Sequence, residues 1–307
     1  MTTITSSQAL DAVTVVESTA DLVAENYVFP EVARQLATLL RRRSAEGAYR
    51  TESAEELAAV VTADLRSVNG DLHLRLKYHA EPVPPEQGAA TMAAMRREFD
   101  ASLGGVPRVE LLDGGVAVLE IGPAMFPLDW AAEPLAAALT LVAPARALIL
   151  DLRRNTGGDP DTVAFICGYL LEGRTHLNTM LSRQGEVAEQ SWTPSYVTGA
   201  RFGGSKPLYV LTSGATFSGG EELAYDLQQL GRARIIGEVT GGGAHPREGW
   251  TVHPHLEAAV PVARAVNPVS GTNWEGVGVQ PDVPCDAGVA LGQALAQALA
   301  RLAEDAR

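Results

Sequence analysis

The sequence is poor in cysteine and in positive charge. Its 307 residues include only two cysteines, Cys167 and Cys285, too few for a disulfide framework and without the spacing of a zinc site. Lys and Arg number 24 against 37 Asp and Glu, which gives a net charge of −13. A surface of this sign repels phosphate backbones and anionic lipids. We therefore expect no nucleic-acid partner and no membrane partner. We expect no metal, because His253 and His255 have no apparent third ligand, and we expect no cofactor.

Long apolar runs are missing as well. No run approaches the ~20 apolar residues that a membrane helix needs. The first residues include Asp11, Glu17 and Asp21 and lack the basic stretch of a signal peptide. These absences lead us to expect a cytoplasmic protein. The hydrophobic content of 46% is sufficient for a large core.

The chain changes character along its length. Apolar periodicity predicts helices in the first part, one over residues 8–27 and another that begins at Ser53 with a capping box. We therefore predict a helical N-terminal domain over 1–80. A proline-rich start indicates a connector with one helix over 81–105, and 106–307 is predicted to form an α/β core.

The core is predicted from short apolar runs that alternate with helical stretches. Such continuous runs are typical of parallel strands covered on both faces. The predicted strands are Val116–Ile121, Ala147–Leu152, Leu208–Thr212 and Ile235–Gly237. Because parallel sheets bind ligands beyond the carboxyl ends of their strands, the residues after each run are the candidate site.

Three of these strand ends carry small and polar residues. After the second strand, Gly157 and Gly158 precede a helix and can expose backbone N–H groups to an anion. After the third, Ser218 stands at a helix N-terminus beside Gly219, where a developing oxyanion is favoured, and Ser213 is a competing nucleophile. After the fourth comes a glycine-rich loop that includes Gly242 and Gly243. A serine nucleophile needs a base, and the residues alone do not choose among the six histidines.

These segments together resemble the S41 family of serine peptidases. The resemblance covers residues 1–295 and rests on five segments in order, DLHL at 71–74, DLRRNTGG at 151–158, TSGATFSGGEE at 212–222, GEVTGGGAHP at 237–246 and NWEGVGVQPD at 273–282. It implies a crotonase/ClpP-like α/β core with a small helical N-terminal domain. Too few residues separate the early turn from the first core strand for a PDZ domain.

The resemblance also implies roles for individual residues. Ser218 matches the family's nucleophile, His73 a histidine base, and Glu275 a carboxylate that orients the imidazole. Gly243 occupies the position where processing proteases have a lysine, which excludes a Ser–Lys dyad. The amides of Gly219 and of Gly157 or Gly158 would form the oxyanion hole.

Several assignments stay open. His245, in a loop that is most similar to the retinoid-binding-protein branch of the family, is the alternative base and lies with Gly242, Gly243 and Trp274 among expected substrate-binding residues. The favoured function is a serine hydrolase that cleaves peptides through an acyl-enzyme. The alternative is a protein that binds a hydrophobic small molecule, or a non-proteolytic biosynthetic enzyme on the same fold. The oligomeric state also stays open, a homo-oligomer included.

Overall fold

The computed structural model of the chain describes residues 10–83 and 87–306. These residues form eight α-helices and twelve β-strands. The helices are α1 (Ala12–Asn26), α2 (Pro30–Ala45), α3 (Ala54–Arg66), α4 (Gln87–Ala101), α5 (Leu128–Val142), α6 (Pro160–Leu170), α7 (Gly219–Gln229) and α8 (Ala290–Glu304). The strands are β1 (Arg75–Tyr78), β2 (Arg108–Leu112), β3 (Val116–Glu120), β4 (Ala147–Asp151), β5 (His176–Ser182), β6 (Val187–Trp192), β7 (Leu208–Thr212), β8 (Arg234–Gly237), β9 (Arg247–His253), β10 (Leu256–Pro261), β11 (Ala263–Val266) and β12 (Val283–Pro284).

The chain divides into two compact units, and the first is assembled from three stretches. Among the described residues, unit 1 contains 10–83 and 87–90 together with 181–186 and 245–264. Antiparallel pairing of β1 with β10, and of β10 with β9, brings the late stretch to the early one. Arg183 links the middle stretch to the end of α1, because its guanidinium donates to the carbonyls of Ala24 and Tyr27. Both units are therefore discontinuous in sequence. The domain boundaries expected at 80 and 106 stay a prediction.

Unit 1 is built on an amphipathic pattern that explains its helices. Apolar residues of α1, α2 and α3, such as Val16, Leu36 and Leu57, are fully buried with Leu256 of β10. Ser53 caps α3 as predicted, accepting from the Glu56 N–H at 3.2 Å. The sequence pattern did not predict α2, which starts with a proline at its first turn, where a missing N–H costs nothing.

Unit 2 contains the α/β core. Its six-stranded sheet has the order β12-β8-β7-β4-β3-β2, with parallel pairing throughout except for the antiparallel edge strand β2. Side chains alternate between two buried faces: Leu148 and Leu150 of β4 pack with α5, α6 and α7, whereas Ala147 and Ile149 pack with α8. The predicted α/β core with both sheet faces covered is therefore confirmed.

Three further features of the described residues concern a small sheet, two helix ends and the length of the helices. A three-stranded sheet has the order β11-β5-β6. Lys206 donates to the carbonyls of Ala143 and Ala145 at the end of α5, and Arg232 donates to Leu170 O at the end of α6, so both cations stabilise helix C-termini. None of the helices in the described residues has the length and apolarity required to cross a membrane.

Candidate active site

The turn that carries Ser218 has an unusual backbone conformation. Ser218 lies between β7 and α7 with φ +49° and ψ −119°. A residue other than glycine rarely adopts a positive φ. Among the described non-glycine residues only Leu103 shares this feature with Ser218. Such strain persists only where the surroundings enforce it, and a strained strand-to-helix turn is how many hydrolases present a nucleophilic serine.

Asn155 is one of the residues that hold this turn. It is fully buried, and its backbone carbonyl accepts from the Phe217 N–H at 3.0 Å. Its side chain donates to Ile121 O at 3.1 Å and accepts from the Gly157 N–H at 2.9 Å. Asn155 thereby joins the loop after β4 to the turn that carries Ser218.

Glu221 holds the turn from the other side. Its carboxylate is fully buried and accepts the Ser218 N–H at 2.8 Å. The same carboxylate accepts the hydroxyl of Thr240 and the N–H groups of Gly242 at 2.6 Å and Gly243 at 2.9 Å. Burial raises the pKa of Glu221 and these hydrogen bonds partly offset that rise. One acidic side chain thus ties the serine turn to the glycine-rich loop.

The expected oxyanion amides meet next to Ser218. A Cβ placed on Gly157 would lie 2.6 Å from Cβ of Ser218, and one placed on Gly219 would lie 3.1 Å from the nitrogen of Gly158. The Gly157 N–H is already bonded to Asn155, whereas those of Gly158 and Gly219 meet no acceptor in the part of the chain that the structure describes. Of the expected oxyanion amides, those of Gly158 and Gly219 are therefore the ones still available, and their role stays a prediction.

Ser213, the competing nucleophile, is engaged within its own turn. Its hydroxyl donates to Arg153 O at 2.6 Å and accepts the Ala215 N–H at 3.1 Å. These bonds make it a turn-stabilising residue. The geometry therefore favours Ser218 over Ser213.

The remaining predicted residues of unit 2 support the glycine-rich loop. Trp274 is 2% exposed and donates from Nε1 to Gly243 O at 2.8 Å. Its indole is packed against Tyr225 in the interior and supports the loop, and its expected role in substrate binding stays a prediction. Glu275 is half-buried and accepts the Ala244 N–H at 2.6 Å. The N–H groups of Gly242 and Gly243 are bonded to Glu221, and the expected contact of these residues with a substrate stays a prediction.

Unit 1 holds the two candidate bases. His73 is almost fully buried, and burial, reinforced by the charges of Arg247 and His245 and opposed by Asp71, lowers its pKa to about 4. His245 is also buried, and its Nδ1 lies 2.8 Å from Asp71 Oδ2. Thus His73 is neutral at physiological pH, and His245 has the carboxylate partner typical of a catalytic imidazole.

Asp71 is the centre of this arrangement. It is fully buried, and it accepts from Tyr27 Oη at 2.9 Å and from the His73 N–H at 3.0 Å. Burial raises the pKa of Asp71, but the bonds from His245, Tyr27 and His73 outweigh it and leave the pKa below its usual value. The side chain of Asn69 in turn donates to Tyr27 Oη at 2.6 Å.

The structure thus groups the predicted residues into two sets. Ser218, Gly219, Gly157, Gly158 and Glu275 belong to unit 2, with the three loop residues Gly242, Gly243 and Trp274. His73 and His245 belong to unit 1. The Ser–His–Glu triad draws on both units and stays a prediction.

Sequence reasoning missed three residues that organise these sets, Asn155, Glu221 and Asp71. All three lie within the quoted segments. Asp71 is the first residue of DLHL at 71–74, Asn155 ends RRN in 151–158, and Glu221 stands three positions after Ser218. A capping-box spacing of serine and glutamate was the one local signal for Glu221. Nothing local links Asp71 to His245, which are 174 positions apart.

Comparison with known families identifies the fold. The family model of peptidase family S41 matches residues 126–285, more than half of the chain. The chain belongs to peptidase family S41. At this level it is a serine-peptidase-like hydrolase, as expected from the resemblance. A second family model, the N-terminal domain of the S41 peptidase in eukaryotic IRBP, matches residues 7–102.

Solved structures agree on the fold of this S41 chain. A lipoprotein from Streptococcus agalactiae is 16% identical with a TM-score of 0.62, and the match covers 97% of this chain and 100% of that one. The photosystem II D1 C-terminal processing protease is 17% identical with a TM-score of 0.54, covering 91% and 94%. The tricorn protease is 13% identical with a TM-score of 0.60, covering 96% of this chain and 37% of that one. At these identities the likeness establishes the S41 fold.

Proposed function

We propose that the protein is a serine peptidase that cleaves peptides through an acyl-enzyme on Ser218. The observation that carries the proposal is the strained Ser218 backbone at the start of α7, next to the amides of Gly158 and Gly219. This arrangement suits a nucleophile whose substrate develops negative charge on a carbonyl oxygen.

In the proposed mechanism His73 is the base and Glu275 orients its imidazole. Ser218 Oγ attacks the peptide carbonyl carbon while its proton passes to His73, and the amides of Gly158 and Gly219 hold the oxyanion. The C–N bond then breaks as His73 returns the proton to the leaving amine. Water, deprotonated by the same imidazole, hydrolyses the acyl ester and restores Ser218.

Two features of the imidazoles support this proposal and the alternative in which His245 is the base. The low pKa of His73 keeps it able to accept a proton at neutral pH. His245, oriented by Asp71, is the alternative base in the same scheme. Comparing His73→Ala with His245→Ala identifies which histidine is the base. Only loss of the acting base reduces acylation while leaving substrate binding intact.

The test is acylation and turnover by the whole chain. Wild type is incubated with a fluorophosphonate and, separately, with a library of unstructured peptides at pH 7.5. We expect labelling and cleavage, both abolished by Ser218→Ala and both retained by the matched variant Ser213→Ala. Absence of labelling in wild type, or labelling that survives Ser218→Ala, would remove the proposal.

A second candidate function is favoured by the match of residues 7–102 to the N-terminal domain of an IRBP peptidase module. It is the binding of a hydrophobic small molecule, with a cytoplasmic location proposed for either function. Native mass spectrometry of the protein as purified would reveal a bound apolar ligand. Retention of that ligand by Ser218→Ala, together with no peptide cleavage by wild type, would favour binding over hydrolysis.

A further inference from the structure

Strand β2 is an edge strand of the six-stranded sheet, and its two faces differ in polarity. β2 pairs only with β3, and among the described residues no strand covers its other side. In such a strand every second N–H and C=O group points away from the sheet and can pair with another strand. The register with β3 shows which side chains lie on each face.

One face of β2 is apolar and exposed. Val109 and Leu111 stand opposite Leu119 and Ala117, whose side chains belong to the core beneath α5. Val109 is 39% exposed and Leu111 is 72% exposed, and Leu141 near the end of α5 is 67% exposed. They border a groove of about 460 Å³ between β2 and the end of α5. Large aliphatic side chains clustered in this way are typical of a binding surface.

The other face of β2 carries one cation and one anion. Arg108 and Glu110 alternate with the apolar residues, and both lie on the side of α8 because their neighbour Leu112 packs there. Arg108 Nε donates to Glu110 Oε2 at 2.9 Å within the chain. The two side chains are partly exposed, so the pair is accessible to a facing strand.

The order of these residues makes the edge complementary to itself. Residues directly opposite in an antiparallel pair point to the same face. If two copies of β2 pair about a two-fold axis at Val109, Arg108 of each copy faces Glu110 of the other. On the opposite face Val109 of each copy then faces Val109 of the other, and Leu111 of each copy faces Pro107 of the other.

We infer that β2 is a homodimer interface, in which two copies pair their edge strands antiparallel about Val109 to form one continuous sheet. The apolar face supplies the buried contact and the Arg108–Glu110 pairs fix the register. An isologous contact of this kind closes on itself, so the product is a dimer and not a fibre. Pairing of an edge strand with a strand of another chain is an established mode of association.

The test is a charge swap read out by sedimentation velocity of the whole chain, from about 1 to 200 µM, a range that spans micromolar affinities. We expect wild type to dimerise with rising concentration. Arg108→Glu and Glu110→Arg each place like charges opposite one another twice, so each should raise the dimer dissociation constant by about tenfold or more. The double variant restores opposite charges and should recover dimerisation.

The control is Glu55→Arg at an exposed position of α3. It makes the same change from a negative to a positive side chain as Glu110→Arg and should leave the dimer unchanged. Leu111→Lys should also abolish dimerisation, and circular dichroism will confirm that each variant is folded. A wild type that is monomeric at every concentration would overturn the inference. So would a dimer that persists in both single charge variants, or a double variant that is no better than either single one.

Discussion

Two carboxylates on α7, Glu222 and Asp226, are buried side by side, and their titration provides a quantitative test of the packing around the serine helix. Asn178 of β5 donates from Nδ2 to Glu222 Oε1 at 3.1 Å and to Asp226 Oδ1 at 2.9 Å. Asn267 also donates to Asp226, at 3.0 Å. Burial raises the pKa of Glu222 to about 7 and that of Asp226 well above its usual value, because two adjacent charges in the interior disfavour full ionisation.

The sign of the effect on stability follows from this shift. A carboxyl whose folded-state pKa exceeds its unfolded value adds stability that is complete below the unfolded pKa and is lost as the pH rises through the folded pKa. For Glu222 the window therefore runs from about pH 4.5 to about pH 7. A shift from 4.5 to about 7 corresponds to about 3 kcal/mol of unfolding free energy at 1.36 kcal/mol per pH unit.

The assay is guanidinium denaturation of wild type and Glu222→Gln between pH 5 and pH 8.5 at constant ionic strength. The variant keeps the acceptor for Asn178 but cannot titrate. The stability advantage of wild type over the variant should therefore be larger at pH 5 than at pH 8.5 by about 2 to 3 kcal/mol. Taking this difference cancels the titration of groups that do not interact with Glu222. Asp226 interacts with Glu222, so the difference reports the titration of this pair of carboxyls.

Glu98→Gln, at an exposed position of α4, is the control and should show no pH-dependent difference from wild type. A difference between wild type and Glu222→Gln that is flat across the range, or that grows with rising pH, would refute the reasoning. Either result would mean that Glu222 is ionised in the folded protein throughout.

Three further predictions concern the site. Gly158→Ala places a Cβ 2.0 Å from Met125 O at φ +139°, so fluorophosphonate labelling should slow by ~100-fold or more, whereas Gly173→Ala, at φ +66° with open space around it, should label normally. Asn155→Ala leaves two buried backbone groups without their partner and should lower the unfolding free energy by about 2 to 4 kcal/mol in guanidinium titration, while Asn155→Asp should recover part of that loss. If His73 is the base, kcat/KM should remain constant as the pH falls to 5.5 and decline only towards the pKa of about 4, and an acid limb centred above pH 6 would contradict that role.

The sequence was sufficient to predict the parallel strands of the sheet and to locate the turn that carries Ser218. Buried parallel strands have no polar face, so β3, β4 and β7 are visible as uninterrupted apolar runs. The turn at Ser218 could be located because glycines and small residues follow a strand and precede a helix. Both signals are local, and a local pattern is what a single sequence records best.

The parts that could not be predicted depend on distant contacts. Strand β9 of unit 1 carries charged and partly exposed residues, so it has no clear hydrophobic signature. The pairing of β10 with β1 joins stretches of chain that no local pattern connects. Glu221 looks like an ordinary acidic residue in the first turn of a helix, and only the fold shows that it is buried beneath the loop of Gly242 and Gly243. The Asp71–His245 contact joins residues that no spacing rule connects.

The most direct measurement for the central claim is the site of covalent modification in the intact chain. Wild type is treated with a fluorophosphonate, digested, and mapped by tandem mass spectrometry. A single phosphonyl adduct is expected on Ser218, with none on Ser213. An adduct on another residue, or an unmodified Ser218 in folded protein after prolonged treatment, would contradict the assignment of Ser218 as the nucleophile.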